Sequence, residues 1–438
     1  MLLLASYFFY GSWKIEFLSL LVISTICDFL ISRNIERSEH QGKRKRLLAL
    51  SLFINLGILF FFKYSSFIAH ELVAFTSFND YQKAELLNFF AFDLPVGISF
   101  YTFQTLGYTI DVYFKRTKAQ QNIGKFALYV SYFPQFVAGP IERYSHLSPQ
   151  LFKNIKLNYR NLSDGFRLVL YGFFIKMVIA DNIAPVVDQV FSNPSQFDSL
   201  SASLGVFGFG WQIYADFYGY SLIAIGVAKS MGVNLMDNFK TPYFSVSISQ
   251  FWQRWHISLS TWFRDYLYVP LGGNRVSQGH WIKNILAVFL LSGLWHGANW
   301  TFIIWGAIHA LMYILEKYFP IKWKRTNLFQ KVTGLIITYL TVNLAWTFFR
   351  ASSFESAMGV LSHISSFETS GESLMITNQL IILFILFLIF EITSRKQRID
   401  EWLNNFPIIV RWIIYTCLLF CIWTFAGTTN HPFIYFQF

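Results

Sequence analysis

Leu291–Trp300 reads LSGLWHGANW and lies inside an apolar run that continues to Leu315. It sets one imidazole, His296, among leucine, tryptophan, isoleucine and phenylalanine, where bilayer depth is the natural reading. An ionisable side chain is costly there, so within a membrane span it is a functional candidate by default. A neutral imidazole offers one acceptor nitrogen, and an ordinary pKa of about 6.5 makes it a usable base near neutral pH. Apolar surroundings favour that neutral form. Gly297 lets another backbone or a ligand approach closely. Asn299 stands one helical turn on, if the helix is continuous, where it would orient the ring or a bound carbonyl. The competing reading is a structural buried histidine bonded to a neighbouring helix.

The rest of the chain suits that depth. Charged residues are 13% and hydrophobic ones 54%, against roughly 25% charged in a soluble domain. Apolar segments recur from end to end and do not alternate, which favours an all-α polytopic membrane protein over a β-barrel. At about 20 residues per crossing, about ten or eleven passes are expected, with some re-entrant or broken helices. Residues 1–438 are read as one integral membrane domain. The net charge of +11 is no nucleic-acid signal, because the basic residues gather between apolar spans and orient the protein in its membrane. Cys27, Cys417 and Cys421 all lie in apolar spans and read as packing residues.

Loop charges give part of the topology. Ile15–Ile31 ends at Arg33, Arg37 and the 43–46 basic block, which belongs in the cytoplasm. Leu47–Ile68 crosses outward to Glu71, Asp80, Glu85 and Asp93, and Leu94–Phe114 returns to Lys115, Arg116 and Lys118. Later, Glu316–Lys331 is basic, Val332–Phe349 goes out, Ile376–Ile392 comes back to Arg395, Lys396 and Arg398, and Ile408–Phe425 exits. The middle segments Phe126–Gly139, Phe166–Ile183 and Leu204–Ala228 hold Lys176, Asp181, Asp216, glycines and Pro134. Such groups survive at depth where they face protein or water, so an interior hollow is expected, with Asp216 its better candidate.

Gln250–Tyr268 reads as one interfacial helix, with Phe251, Trp255, Leu259, Trp262 and Tyr266 on one side and Gln253, His256, Ser260 and Arg264 on another. The aromatic stripe suits packing or anchoring. His256 is the second candidate imidazole, while His309 reads as a packing or interfacial residue. Lys240, Arg254, Arg264, Arg275 and Lys283 surround this helix, and their charges suit phosphates or anionic headgroups. No G-x-S-x-G elbow, Walker loop or H-E-x-x-H motif occurs. A metal held by the three histidines would want carboxylates or thiolates that the pattern does not cluster.

QFWQRWHISLSTWFRDYLYVPLGGNR (250–275) and SGLWHGANWTFIIWGAIHALMYILEK (292–317) resemble the membrane-bound O-acyltransferase (MBOAT) family, in its bacterial alginate and peptidoglycan O-acetylation branch. LPVGISFYTFQTLGYTIDVY (94–113), YFPQFVAGPIERY (132–144), YADFYGYSLIAIGVAKSMG (214–232) and the terminal PFIYFQF extend the likeness over nearly the whole chain. The resemblance implies a helical bundle around a central tunnel, with His296 as essential catalytic residue and His256 as a less constant second member. It implies a bacterial inner-membrane enzyme with no bound cofactor, taking acetyl from cytoplasmic acetyl-CoA for an exported polysaccharide. A periplasmic or membrane-tethered acetyltransferase is the implied partner. On this reading Asn299 and Asp216 position substrate, and Arg254, Arg264 and Arg275 bind the donor. Relatives usually carry an apolar segment before LLLASYFFYGSW, whereas Met1 begins inside that motif, so a misassigned start or a shortened chain is expected. The rivals are a transporter with a proton-coupling histidine, for which no paired interrupted repeat is visible, and a relative acylating lipid or protein.

Overall fold

Apolar runs bounded by asparagine, aspartate, serine and threonine caps become helices in this computed structural model, which describes residues 1–136, 139–153, 158–319, 327–426 and 431–434. Asn79, Asn122, Asn158, Asp198, Asn299, Asn327, Ser353 and Thr377 each accept a first-turn backbone N–H, satisfying donors that helix starts leave orphaned. Apart from an isolated bridge between Phe197 and Glu372, the described residues form helices and connections. The protein is all-α.

Among the described residues, five helical stretches are long and apolar enough to cross a membrane: Ile15–Arg37, Gln41–Phe75, Tyr159–Ser192, Leu328–Arg350 and Ile408–Phe425. The other expected passes fall on helices that are short, such as Asn378–Ser394, or carry polar residues, such as Ser199–Ser230. The expected basic loop at 316–331 and the terminal PFIYFQF lie partly outside the described residues.

The chain forms two compact units, Met1–Lys156 with Gly232–Leu235, and Leu157–Met231 with Met236–Phe438. In the first, Ile15–Arg37, Gln41–Phe75 and Ile98–Tyr113 pack on one another. Buried Asp28 accepts hydrogen bonds from Ser51 Oγ and, at 2.7 Å, from Asn55 Nδ2. Asn55 Oδ1 in turn accepts from Ser24 (2.9 Å) and Thr105 (3.3 Å). Three helices thus pair their polar groups with each other where water cannot.

In the second unit, four glycines bring Tyr159–Phe173 against Ser199–Ser230. A Cβ on Gly172 would lie 2.8 Å from the Gly219 carbonyl, and one on Gly165 would lie 2.6 Å from that of Gly226. Small residues permit this backbone approach. The hollow expected among these segments is therefore absent at this contact. Lys176, on a π-helical turn over Phe174–Ala180, instead pairs with Asp181 and, at 2.9 Å, with Asp216. The polar residues face one another inside protein, with one lysine shared between two carboxylates.

Candidate active site at His296 and His256

Two helices place His296. Gln278–His296 ends on it, and Trp300–Tyr318 runs back alongside. The hairpin is tight because a Cβ on Gly293 would meet the Phe302 carbonyl at 2.2 Å, and one on Gly306 the Phe289 carbonyl at 2.4 Å. Gly297 serves the same contact, since a Cβ there would strike the Phe302 ring at 2.0 Å. The close approach read from Gly297 is thus made by a phenylalanine ring.

The helix is not continuous to Asn299, and this corrects the expected one-turn offset. Gly297 is extended, and Asn299 caps the next helix by accepting from the Thr301 N–H at 3.0 Å. Its Nδ2 donates to the Ser352 carbonyl at 3.0 Å. Its amide is occupied in joining the hairpin to the following segment.

The 250–268 stretch is also not one helix. It breaks into Ile248–Trp252, Ile257–Phe263 and a π turn over Arg264–Tyr268. The hinge is His256, which adopts the left-handed conformation at φ +41° and ψ +55°. Few non-glycine residues do so, and such outliers concentrate at functional sites. The stripe Phe251, Trp255, Leu259, Trp262 and Tyr266 is buried, so it packs instead of anchoring at an interface.

The break brings the two imidazoles together. Their ring centroids are 6.5 Å apart, and both rings are buried. Aromatic rings surround them. His296 lies 4.9 Å from Trp295 and from Trp305, and 5.3 Å from Phe349. His256 lies 4.7 Å edge-on from Phe217. His309 completes the row, with Trp305 4.9 Å from its ring on the side facing His296. Neither ring nitrogen of His309 has a hydrogen-bond partner among the described residues.

Asp216 directly precedes Phe217, but its carboxylate is engaged by Lys176 and accepts the Ile434 N–H at 2.8 Å. Phe433 packs on Phe217 at 5.6 Å. Asp216 therefore fixes the helix that carries Phe217 against His256, which no local pattern announces.

The three candidate donor arginines are not gathered. Arg254 is half-buried and donates to the Phe244 carbonyl at 3.3 Å. Arg264 pairs with Asp265 at 2.8 Å and lines a cavity of about 400 Å³ with Trp252, Ile257, Ser260 and Ser292. Arg275 is exposed on the turn beyond. Ser292 is one turn before His296 and Ile257 directly follows His256. Among the described residues no three His, Cys, Asp or Glu side chains converge as a metal site. Phe217, Trp305 and Phe349 frame the imidazoles through contacts distant in sequence, and periodicity alone carries no signal of them.

A helical membrane protein with paired buried imidazoles in an aromatic enclosure is the class these observations define. Residues 115–358 match the membrane-bound O-acyltransferase family, and the chain belongs to it. It is 40% identical over 370 residues to the "Probable alginate O-acetylase AlgI" of Pseudomonas syringae pv. tomato, covering 84% of this chain and 70% of that one. It is 36% identical over 388 residues to the peptidoglycan O-acetyltransferase of Helicobacter pylori (82% and 72%). A teichoic acid D-alanyltransferase of Bacillus subtilis is 29% identical over 274 residues (59% and 69%). The protein is a multi-pass membrane O-acyltransferase.

Proposed function

We propose that this O-acyltransferase moves acetyl from cytoplasmic acetyl-CoA to a hydroxyl of an exported or cell-wall polysaccharide, from a bacterial inner membrane. The observation that carries this is the convergence of His296 and His256, from two separate motifs, to 6.5 Å within one buried aromatic enclosure. The names of the two similar O-acetylating proteins support the acceptor class. In the proposed step His296 removes the proton of an acceptor hydroxyl. The oxygen attacks the thioester carbonyl, the C–S bond breaks, and the departing thiolate takes the proton back from the imidazolium. His256 positions the acyl group or its partner ring. Burial limits wasteful hydrolysis.

The acceptor is either the polymer itself or an extracytoplasmic transferase that passes acetyl on. The test is His296→Ala in cells lacking the native protein, with mass spectrometry of envelope glycans. The expected outcome is loss of O-acetyl groups while the protein still accumulates in the membrane; retained acetylation would refute the role.

A further inference from the structure

Buried indoles ordinarily find an acceptor for their N–H, and two here do. Trp346 donates to the Tyr243 hydroxyl and Trp281 to the Tyr268 hydroxyl, each at 3.1 Å. Trp305 is buried to 0% exposure and stacks on Trp346, with ring centroids 5.9 Å apart and planes at 25°. Its Nε1 nonetheless has no hydrogen-bond partner among the described residues. Of two stacked neighbours, one spends its N–H on the fold and the other does not.

The Nε1 atoms of Trp252 and Trp255 are also without a partner among the described residues, but their surroundings differ from those of Trp305. Trp255 packs on aromatic rings and on no imidazole. Trp252 meets His309 at 4.9 Å and lines the cavity that Arg264 also lines. Of the three, Trp305 is the one in contact with His296, ring centroids 4.9 Å apart and planes nearly perpendicular at 82°.

The indole is held in place from several sides. Gly306, the next residue, lies so near the Phe289 carbonyl that the two helices stay in backbone contact beside it. Phe349 is 5.6 Å and His309 4.9 Å from the Trp305 ring. A fixed donor that no protein acceptor occupies, in a buried site, is suited to stabilising charge that develops on a reacting oxygen.

We infer that Trp305 Nε1–H donates a hydrogen bond to the carbonyl oxygen of the acyl group transferred at His296, as the oxyanion donor of the reaction. The inference rests on the acyl-transfer step proposed above. As the acceptor oxygen attacks the carbonyl carbon, the C=O π pair moves onto the oxygen that faces the indole. The indole keeps its own proton throughout. When the C=O bond re-forms, the C–S bond breaks and the thiolate takes the proton held by His296.

The test replaces Trp305 with benzothienylalanine by amber suppression, which keeps the fused-ring shape and puts sulfur in place of the N–H. Transfer per folded molecule is followed as envelope O-acetyl content by mass spectrometry and as the rate with acetyl-CoA in the purified protein. It is expected to fall by about 10²-fold, the usual loss of one oxyanion donor. The KM for acetyl-CoA is expected to stay within about threefold, with the unfolding midpoint unchanged. The same replacement at Trp346 takes the N–H away from Tyr243, so it is expected to lower the midpoint and leave transfer per folded molecule within about threefold of the parent. Parent-like transfer in the Trp305 variant overturns the inference, and so does an equal loss at Trp305 and Trp346. A lower midpoint at Trp305 with transfer per folded molecule retained overturns it as well, because the indole is then structural. Parent-like acetylation in His296→Ala refutes the base, whereas parent-like acetylation in the Trp305 variant alone refutes the indole. If the envelope loses O-acetyl groups in the Trp305 variant and not in the Trp346 variant, while purified parent protein consumes no acetyl-CoA, the oxyanion donor stands and the acetyl-CoA reading falls.

Discussion

Both units bury ionisable groups among membrane helices, and they treat them in opposite ways. In the first, Asp28 is held by Ser51 and Asn55, and Asn55 by Ser24 and Thr105, so donors and acceptors match. In the second, His296, His256 and His309 are wrapped in indole and phenyl rings, and the His309 nitrogens lack partners among the described residues. A polar group left unbonded in the interior costs about 1–3 kcal/mol. A knot that closes its hydrogen bonds needs no reactant to explain it. On the proposed reading, His296 and His256 sit among rings for the chemistry performed there, at some cost in stability.

The sharpest way to break this contrast is to separate activity from stability. Removing the His296 imidazole is expected to lower acetyl transfer by about 10²–10⁴-fold, the usual reach of general acid–base catalysis. Thermal unfolding in detergent is expected to change little for His296→Phe, which keeps an aromatic ring in the enclosure. A large fall in the unfolding midpoint with transfer intact would place His296 with Asp28, as a structural group.

Asp28→Leu should behave in the reverse sense. It strands the donors of Ser51 and Asn55 at about 1–3 kcal/mol each. The expected outcome is a lower yield and a lower unfolding midpoint, with turnover per folded molecule retained. Lost turnover at full stability would make the knot part of the reaction path.

His256 lies between these extremes, because its backbone and its ring are both unusual. His256→Asn tolerates the left-handed conformation, so it is expected to lose transfer by about tenfold while keeping its fold. His256→Val adds strain of about 1–3 kcal/mol for a bulky residue at positive φ, visible as a lower midpoint. Equal stability of the two would mean that φ +41° plays no part in placing the ring.

Much of this was legible in residue order. Apolar runs at 15–31, 332–349 and 408–425 announce helices, which the structure extends to Ile15–Arg37 and Leu328–Arg350, because each must satisfy its own backbone in lipid. LSGLWHGANW isolates His296 for the same reason. The breaks at Gly297 and His256 were not legible, because tertiary contacts decide them. Phe302 occupies the space that opens at Gly297, and the broken 250–268 stretch buries Phe251 and Trp255, deciding for packing where the pattern allowed packing or anchoring. Asp216 misled in the other direction. Its depth suggested a cavity, but Lys176 supplies its counter-charge from 40 residues away. Trp305 was legible only as part of an apolar run, since residue order does not show which indole lacks an acceptor.

The smallest expected effect concerns a histidine of the first unit that belongs neither to the Asp28 knot nor to the aromatic enclosure, and it calibrates both. His146 lies on the short Tyr144–Leu151 helix with Nδ1 2.6 Å from Glu142. That hydrogen bond, against partial burial and helped by the carboxylate charge, raises the His146 pKa above 6.5. The folded protein therefore holds its proton more tightly than the unfolded chain does. The resulting stability is complete below about pH 6.5 and drains away as pH rises through the raised folded value. Because the ring is nearly half exposed, solvent screening keeps the effect small. Unfolding midpoints measured from pH 5.5 to 8.5 are expected to fall slightly more steeply for the parent than for His146→Gln. Acetyl transfer, normalised to folded protein, is expected to follow the same pH profile in both. If His146→Gln instead shifts the transfer profile, a carboxylate-paired histidine has joined the reaction, and packing among aromatic rings no longer distinguishes the working imidazoles from the structural ones.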